Sequence, residues 1–157
     1  MADWLAPVRR LTRDDVACWV IKTNRPPGEV VPGWDPRTEQ ELTRCLRASY
    51  RLDLMEAGQP CLLWLSGRHR PGVHALGVLA GPPTPDADGP VVPARFTLLA
   101  EPVDRTDLMA DPAARDAEVL RMPAGSNPSW LSRRQFDAVL ARVEDRERPT
   151  GLGPWNP

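Results

Sequence analysis

The chain alternates between short apolar runs and turn-forming clusters. Ala17-Cys18-Trp19-Val20-Ile21 is the first apolar run, and it ends in the polar residues Lys22-Thr23-Asn24. Its β-branched and aromatic content, bounded by Asn24 and Pro26-Pro27-Gly28, predicts a strand over residues 17–23. Asp35-Pro36 reads as an N-cap followed by proline at the first helical position. Leu42, Cys45 and Leu46 then share one face, so a helix is expected over residues 36–48. Residues 60–66 alternate, with Cys61, Leu63 and Leu65 on one face and Leu62, Trp64 and Ser66 on the other. Both faces are largely apolar, which predicts a central strand covered on both sides.

A basic loop containing Arg68, His69 and Arg70 leads to a strand over residues 73–80, with Gly77 in its middle. Glycine inside a strand marks a close approach of backbone or ligand. Residues 81–89 are rich in Pro and Asp and read as a surface loop. Residues 90–99 read as a strand that Pro93 confines to an edge or a bulge. Short helices are expected near residues 105–109 and 112–119. Ser132 and Gln135 form a capping box, and Phe136, Val139, Leu140 and Val143 are the apolar stripe of a last helix reaching about residue 145. The tail from Arg148 is expected to be loose. This order of elements indicates an α+β fold: a mixed central sheet of about five to six strands, or a barrel, flanked by helices.

The length of 157 residues fits one domain with a real core. No run approaches the roughly 20 apolar residues of a membrane span, and no signal-peptide apolar core opens the chain. A soluble, cytoplasmic protein without membrane contact is therefore expected. The net charge of −1 gives no global basic footprint for long nucleic acid. Lys22 is the only lysine; the remaining basic residues are arginines, and with 19 prolines they suggest a GC-rich coding genome. Cys18, Cys45 and Cys61 are odd in number and far apart, and they read as reduced core thiols. No metal or cofactor is expected, since there is no close Cys or His pair and no phosphate-cradling glycine loop. No nucleophile elbow occurs either. Cys61 with His74 is the one Cys–His pair worth considering, with core packing of Cys61 as the alternative. No constellation calls for catalysis, so a non-enzymatic role is expected.

Three segments stand out beyond the fold. Thr23 and Asn24 close the first strand with side chains that can hydrogen-bond a flat heterocycle, and Trp34 follows ten residues after Asn24. A polar group beside an aromatic plate suits an unstacked nucleobase. The alternative is that Trp19 and Trp34 are core aromatics. The second segment is Trp64-Leu65-Ser66 with the Gly77 strand. The third is the loop of residues 123–132, in which Asn127 and Trp130 precede a helix start that suits a phosphate. Its alternative is an ordered capping loop with Trp130 as a plug.

Taken in order, these segments resemble the EVE domain, a member of the PUA-like superfamily and a relative of the YTH domain. Residues 19–24 are similar to the opening strand of both families, Trp34 to the first cage tryptophan of YTH domains, and residues 62–66 and 72–80 to the central hairpin. The resemblance covers roughly residues 17–145, so the chain of residues 1–157 is expected to form a single EVE-like domain. It implies a PUA-like pseudo-barrel that reads a modified nucleobase, of methylated cytosine or adenine type, in DNA or RNA. Carried over, Thr23 and Asn24 would hydrogen-bond the base edge, Ser66 would line the pocket floor and Trp34 would stack on the base; Lys22 is a further candidate contact, to the base or to a phosphate. Trp64 and Asn127 join that candidate set. YTH domains have a second cage tryptophan where this chain has Arg95 and Phe96, so Phe96 or Trp130 would supply the second plate. Arg25, Arg68, Arg70, Arg133 and Arg134 are candidate phosphate contacts. The competing reading is a small-molecule-binding or enzymatic domain on the same scaffold.

Overall fold

The computed structural model describes residues 10–148. Seven strands form one mixed sheet: β1 (Cys18–Thr23), β2 (Glu39–Cys45), β3 (Pro60–Leu65), β4 (Gly72–Leu79), β5 (Thr84–Asp86), β6 (Gly89–Asp104) and β7 (Ser129–Leu131). Four short helices accompany them: α1 (Pro27–Val30), α2 (Arg105–Ala110), α3 (Glu118–Arg121) and α4 (Arg133–Leu140). The strand order is β2-β6-β4-β3-β1-β7, with β5 added to β6. Only β1 and β3 run parallel; every other pair is antiparallel. The expected α+β architecture with a mixed central sheet is the one found, as an open sheet of seven strands among the described residues.

Side-chain alternation divides the core in two. Cys18, Val20, Leu62 and Trp64 point to the side covered by the helices, where they meet Leu108, Val119, Leu120, Phe136 and Val139. Trp19, Ile21, Leu63, Ala75 and Phe96 point to the other side and pack with Trp34, Leu46 and Met55. The central strands are therefore buried on both faces, as the continuous apolar runs of β3 and β4 require. Trp19 is wholly buried, and its indole Nε1 donates to Gln59 Oε1 at 2.8 Å, so its one polar atom is satisfied.

Several expectations are corrected. Residues 36–48 contain no helix; Glu39–Cys45 is strand β2, paired along its length with β6. Arg37 stands at φ 66°, a left-handed conformation that stops a helix at its start. Residues 84–86 form β5, a small hairpin with β6, within the expected surface loop. The β6 strand is no edge: it lies between β2 and β4 and extends to Asp104. Pro93 is accommodated one residue beyond the last β4–β6 register pair, Leu79 with Ala94, where its carbonyl still accepts from Ala80 N at 2.8 Å. The helix expected near residues 112–119 is not formed: residues 112–116 are turns, and α3 begins only at Glu118. In contrast, the Ser132–Gln135 capping box is present in both directions and opens α4. Apart from Arg148 itself, the tail expected to be loose lies outside the described residues.

Candidate functional site

The polar end of β1 opens into a cavity of about 370 Å³. Lys22, Thr23 and Asn24 enter it from β1, Ser66 from the end of the parallel strand β3, and Arg44, Cys45 and Arg47 from β2 and the residues after it. The backbone around Pro123 and Gly125, with Asn127, closes the remaining side. The parallel pairing places two carboxyl-terminal strand ends together, and Ser66 N continues the ladder by donating to Thr23 O at 2.8 Å.

Asn127 holds this arrangement together. Its Oδ1 accepts from Lys22 N at 3.0 Å, and its Nδ2 donates to Lys22 O at 3.4 Å and Cys45 O at 3.3 Å. Its own carbonyl accepts from Arg47 N at 2.8 Å. The side-chain amide thus imitates a strand neighbour of β1 and ties β1 to β2. With both ends of the amide engaged, Asn127 positions the cavity wall. Thr23 is similarly occupied, since its Oγ1 accepts from Arg25 N at 3.2 Å. Asn24 is exposed and its side chain has no partner among the described residues, leaving its donor and acceptor free.

Charge is the second feature of the cavity. Lys22, Arg25, Arg44 and Arg47 line it, and no Asp or Glu does. Arg25 shares its charge with Glu29 on α1 at 3.8 Å, a pair open to solvent. Arg44 has a buried Nε without a hydrogen-bond partner, and burial first, then Arg25, holds its pKa below the usual arginine value while Cys45 raises it. Lys22 Nζ donates to Pro123 O at 3.2 Å. Burial is the main cause lowering the Lys22 pKa; Glu118 opposes this, and Arg47 and Arg51 add to it. Cations are gathered here with less anionic charge than would balance them, which favours an anionic ligand.

The candidate aromatics lie elsewhere. Phe96 is 0% exposed, Trp64 3% and Trp34 6%, and all three belong to the packed core. The Trp34 indole donates to Thr38 O at 3.0 Å. None of these rings lines the cavity, because strand alternation turns Trp64 and Phe96 inward and β2 replaces the helix that would have presented Trp34. Trp130 is half-buried on β7, opposite Trp19, and lines a different cavity. Arg68 and Arg70 lie in the β3–β4 loop, outside this cavity, with Arg70 paired to Glu101 at 3.5 Å. Arg133 and Arg134 open α4; Arg133 pairs with Asp137 at 3.7 Å, and the helix start is closed by its own capping box. Arg44 and Arg47 are the site residues that the sequence reading missed. The alternation of Gln40, Leu42 and Arg44 was the available signal.

Neither core thiol is placed to act as a nucleophile. Cys18 and Cys61 are buried, and desolvation pushes both pKa values well up. Cys45, expected in the core, is exposed at the cavity. His74 is engaged with Arg70 rather than Cys61: its Nε2 donates to the Arg70 carbonyl at 2.8 Å. Among the described residues no group of three or more His, Cys, Asp or Glu side chains could hold a metal, and no helix is long and apolar enough to cross a membrane.

Behind the cavity, Arg51 and Glu118 form a two-pronged ion pair at 2.8 and 2.7 Å, and Ser129 Oγ donates to the same carboxylate at 2.8 Å. The bond from Arg51 is the main cause holding the Glu118 carboxyl below the usual glutamate range; burial opposes it and Ser129 assists. A depressed folded-state pKa stabilises the fold above the ordinary glutamate value, and that contribution is lost as pH falls through the folded value. The melting temperature of the wild type should therefore exceed that of Glu118→Gln at pH 7, and the gap should narrow from about pH 5 downward. Melting curves of the two proteins across that range check this; parallel curves would exclude the ion pair as a source of acid sensitivity.

No family model and no curated protein matches the chain. Solved structures do. A hypothetical protein from Leishmania major superposes with a TM-score of 0.65 at 14% identity, over 87% of this chain and 99% of that one. The DUF55 domain of human thymocyte nuclear protein 1 gives 0.56 at 15% identity, over 80% and 97%. The human protein in complex with DNA containing 5-methylcytosine gives 0.52 at 14%, over 84% and 98%. Likeness at such identities speaks for architecture alone: this chain shares the fold of these proteins.

Proposed function

We propose that this protein binds, without catalysis, a modified nucleobase of methylated cytosine or adenine type in DNA or RNA, using the cavity at the end of β1. The observation that carries this reading is the acid-free cluster of Lys22, Arg25, Arg44 and Arg47 around the free amide of Asn24 and the Ser66 hydroxyl. Cations suit the phosphates that flank a base, and the polar side chains suit its edge. The shared fold with a protein bound to 5-methylcytosine-containing DNA supports the same reading and favours the cytosine type.

The base is held without an aromatic cage. Guanidinium planes can stack on a base as aromatic rings do, and Arg44 stands on the cavity wall for that purpose. Asn24 and Ser66 read the polar edge, and once a bound base covers them a mismatched base is rejected because their groups would be left unpaired. Asn127 and Thr23 keep the strand end in shape. Phosphate contact falls to Lys22, Arg25 and Arg47, rather than to Arg68, Arg70 or Arg133. In that assignment the protein takes a single-stranded segment or a base turned out of a duplex, since the cavity admits no helix of DNA.

Anisotropy titration of a labelled single-stranded oligonucleotide carrying one 5-methylcytosine tests this. Arg44→Ala should weaken binding about tenfold, corresponding to one lost stacking or charge-assisted contact. Arg47→Ala should lower the slope of log affinity against log salt by about 0.7, the release expected for one phosphate contact on a single strand. Unchanged affinity in both variants would sink the assignment. Tight binding of small phosphorylated metabolites, with none of any oligonucleotide, would favour the small-molecule reading.

A further inference from the structure

A second cavity, of about 380 Å³, is lined by both members of the Arg51–Glu118 pair. Trp130 from β7 and Tyr50 from the turn of residues 50–54 form its flat walls, and Arg10 and Arg121 stand at its rim. Resting on the nucleic-acid reading above, we propose that this cavity is a subsite for the nucleobase next to the one held at the end of β1. Trp130 is its stacking plate, and Arg10 and Arg121 meet its phosphate.

Three observations carry the proposal. The first is continuity. Asn127 lines the first cavity and Trp130, three residues further along the chain, lines the second, with Ser129 opposite Val20 and Trp130 opposite Trp19 on β7. Three residues span at most roughly 10 Å of backbone, a separation that neighbouring nucleotides of an unstacked strand can bridge. Glu118 lines the second cavity and still influences Lys22 in the first.

The second observation is the state of the charges. The carboxylate of Glu118 is consumed by Arg51 and Ser129, with the pair only 12% and 16% exposed. Asp15 is engaged by Thr12 N at 2.9 Å. Arg10 and Arg121 have no ion pair among the described residues: Arg10 lies 4.1 Å over the Tyr50 ring, and Arg121 Nε donates to the Asp116 carbonyl. The charge left for a ligand is therefore positive. The third is Trp130 itself, a half-buried ring beside that charge on a short strand anchored to β1. A partly exposed indole next to unpaired guanidinium groups is the pairing used to hold single-stranded nucleic acid.

The test compares 5-methyl-2′-deoxycytidine 5′-monophosphate with a single-stranded pentanucleotide carrying 5-methylcytosine at its centre. Calorimetric titration of wild type, Trp130→Ala, Trp130→Phe and Arg10→Ala gives the affinities. The pentanucleotide should bind wild type at least tenfold more tightly than the mononucleotide. Trp130→Ala should remove about tenfold of pentanucleotide affinity, the value of one stacked base, and leave the mononucleotide unchanged. Trp130→Phe should restore most of the loss. Arg10→Ala, a change at an exposed position, should weaken only the pentanucleotide, which keeps the test open if Trp130→Ala folds poorly. Equal binding of the two ligands to wild type, or variants that weaken both ligands alike, would overturn the subsite and leave the first cavity intact. Binding of neither ligand to wild type would overturn both.

Discussion

Gly77→Ala should leave the protein unable to fold. A Cβ at this position would lie 1.9 Å from the Arg95 carbonyl oxygen, 2.8 Å from its carbon and 3.0 Å from Phe96 Cα, all backbone atoms of β6. No side-chain rotation relieves that overlap. Gly77 sits in the middle of the sheet, opposite Cys61 of β3 on one side and Phe96 of β6 on the other. Either the β4–β6 ladder separates or the wholly buried Phe96 shifts. Domain stability is only about 5–15 kcal/mol, and separating a central ladder exceeds what that margin tolerates. Soluble yield and far-ultraviolet circular dichroism check this, with Gly28→Ala as the control, since a Cβ there meets nothing within 4 Å. A Gly77→Ala protein that melts cooperatively within a few degrees of wild type would show the close approach to be wrong.

Trp34→Ala should cost about 3–5 kcal/mol, the range for emptying a core position of a large aromatic. For a chain of this size that lowers the melting temperature by roughly 10 °C or more. The ring is 6% exposed, packs in the cluster of Trp19, Ile21, Leu63 and Phe96, and has its indole N–H bonded to Thr38 O. Thermal melts monitored by circular dichroism decide the matter. A variant that melts with wild type but loses oligonucleotide binding would return Trp34 to the role of stacking plate and refute the core assignment.

Trp34 also shows where the sequence was legible. Elements with a strong local signal were read correctly: the apolar run of β1, the doubly buried β3, the Gly77 strand and the capping box of α4 carry their own pattern. Strand β2 lacked such a signal. Asp35-Pro36 imitates a helix start, and Leu42, Cys45 and Leu46 have helical spacing. What overrides them is tertiary: the left-handed Arg37, and a long β6 that offers seven residue pairs to Glu39–Cys45. Losing β2 from the sequence reading meant losing Arg44 and Arg47 from the candidate site, because only the pairing of β2 in the sheet brings that segment beside the end of β1. Lys22 to Asn24 and Ser66, which line one cavity of the candidate site, were legible as a group because strand ends expose their last side chains. The aromatic half was misplaced, since a tryptophan in sequence gives no sign of whether its ring faces a cavity or a core.

Nitrogen-15 labelled protein titrated with a single-stranded oligonucleotide containing one 5-methylcytosine tests the central claim most directly. Backbone amide shifts should cluster at residues 22–25, 44–47, 66 and 124–127, and should shrink markedly when the same sequence carries plain cytosine. Shifts confined to other surfaces, or identical for the two oligonucleotides, would contradict a base-selective cavity at the end of β1.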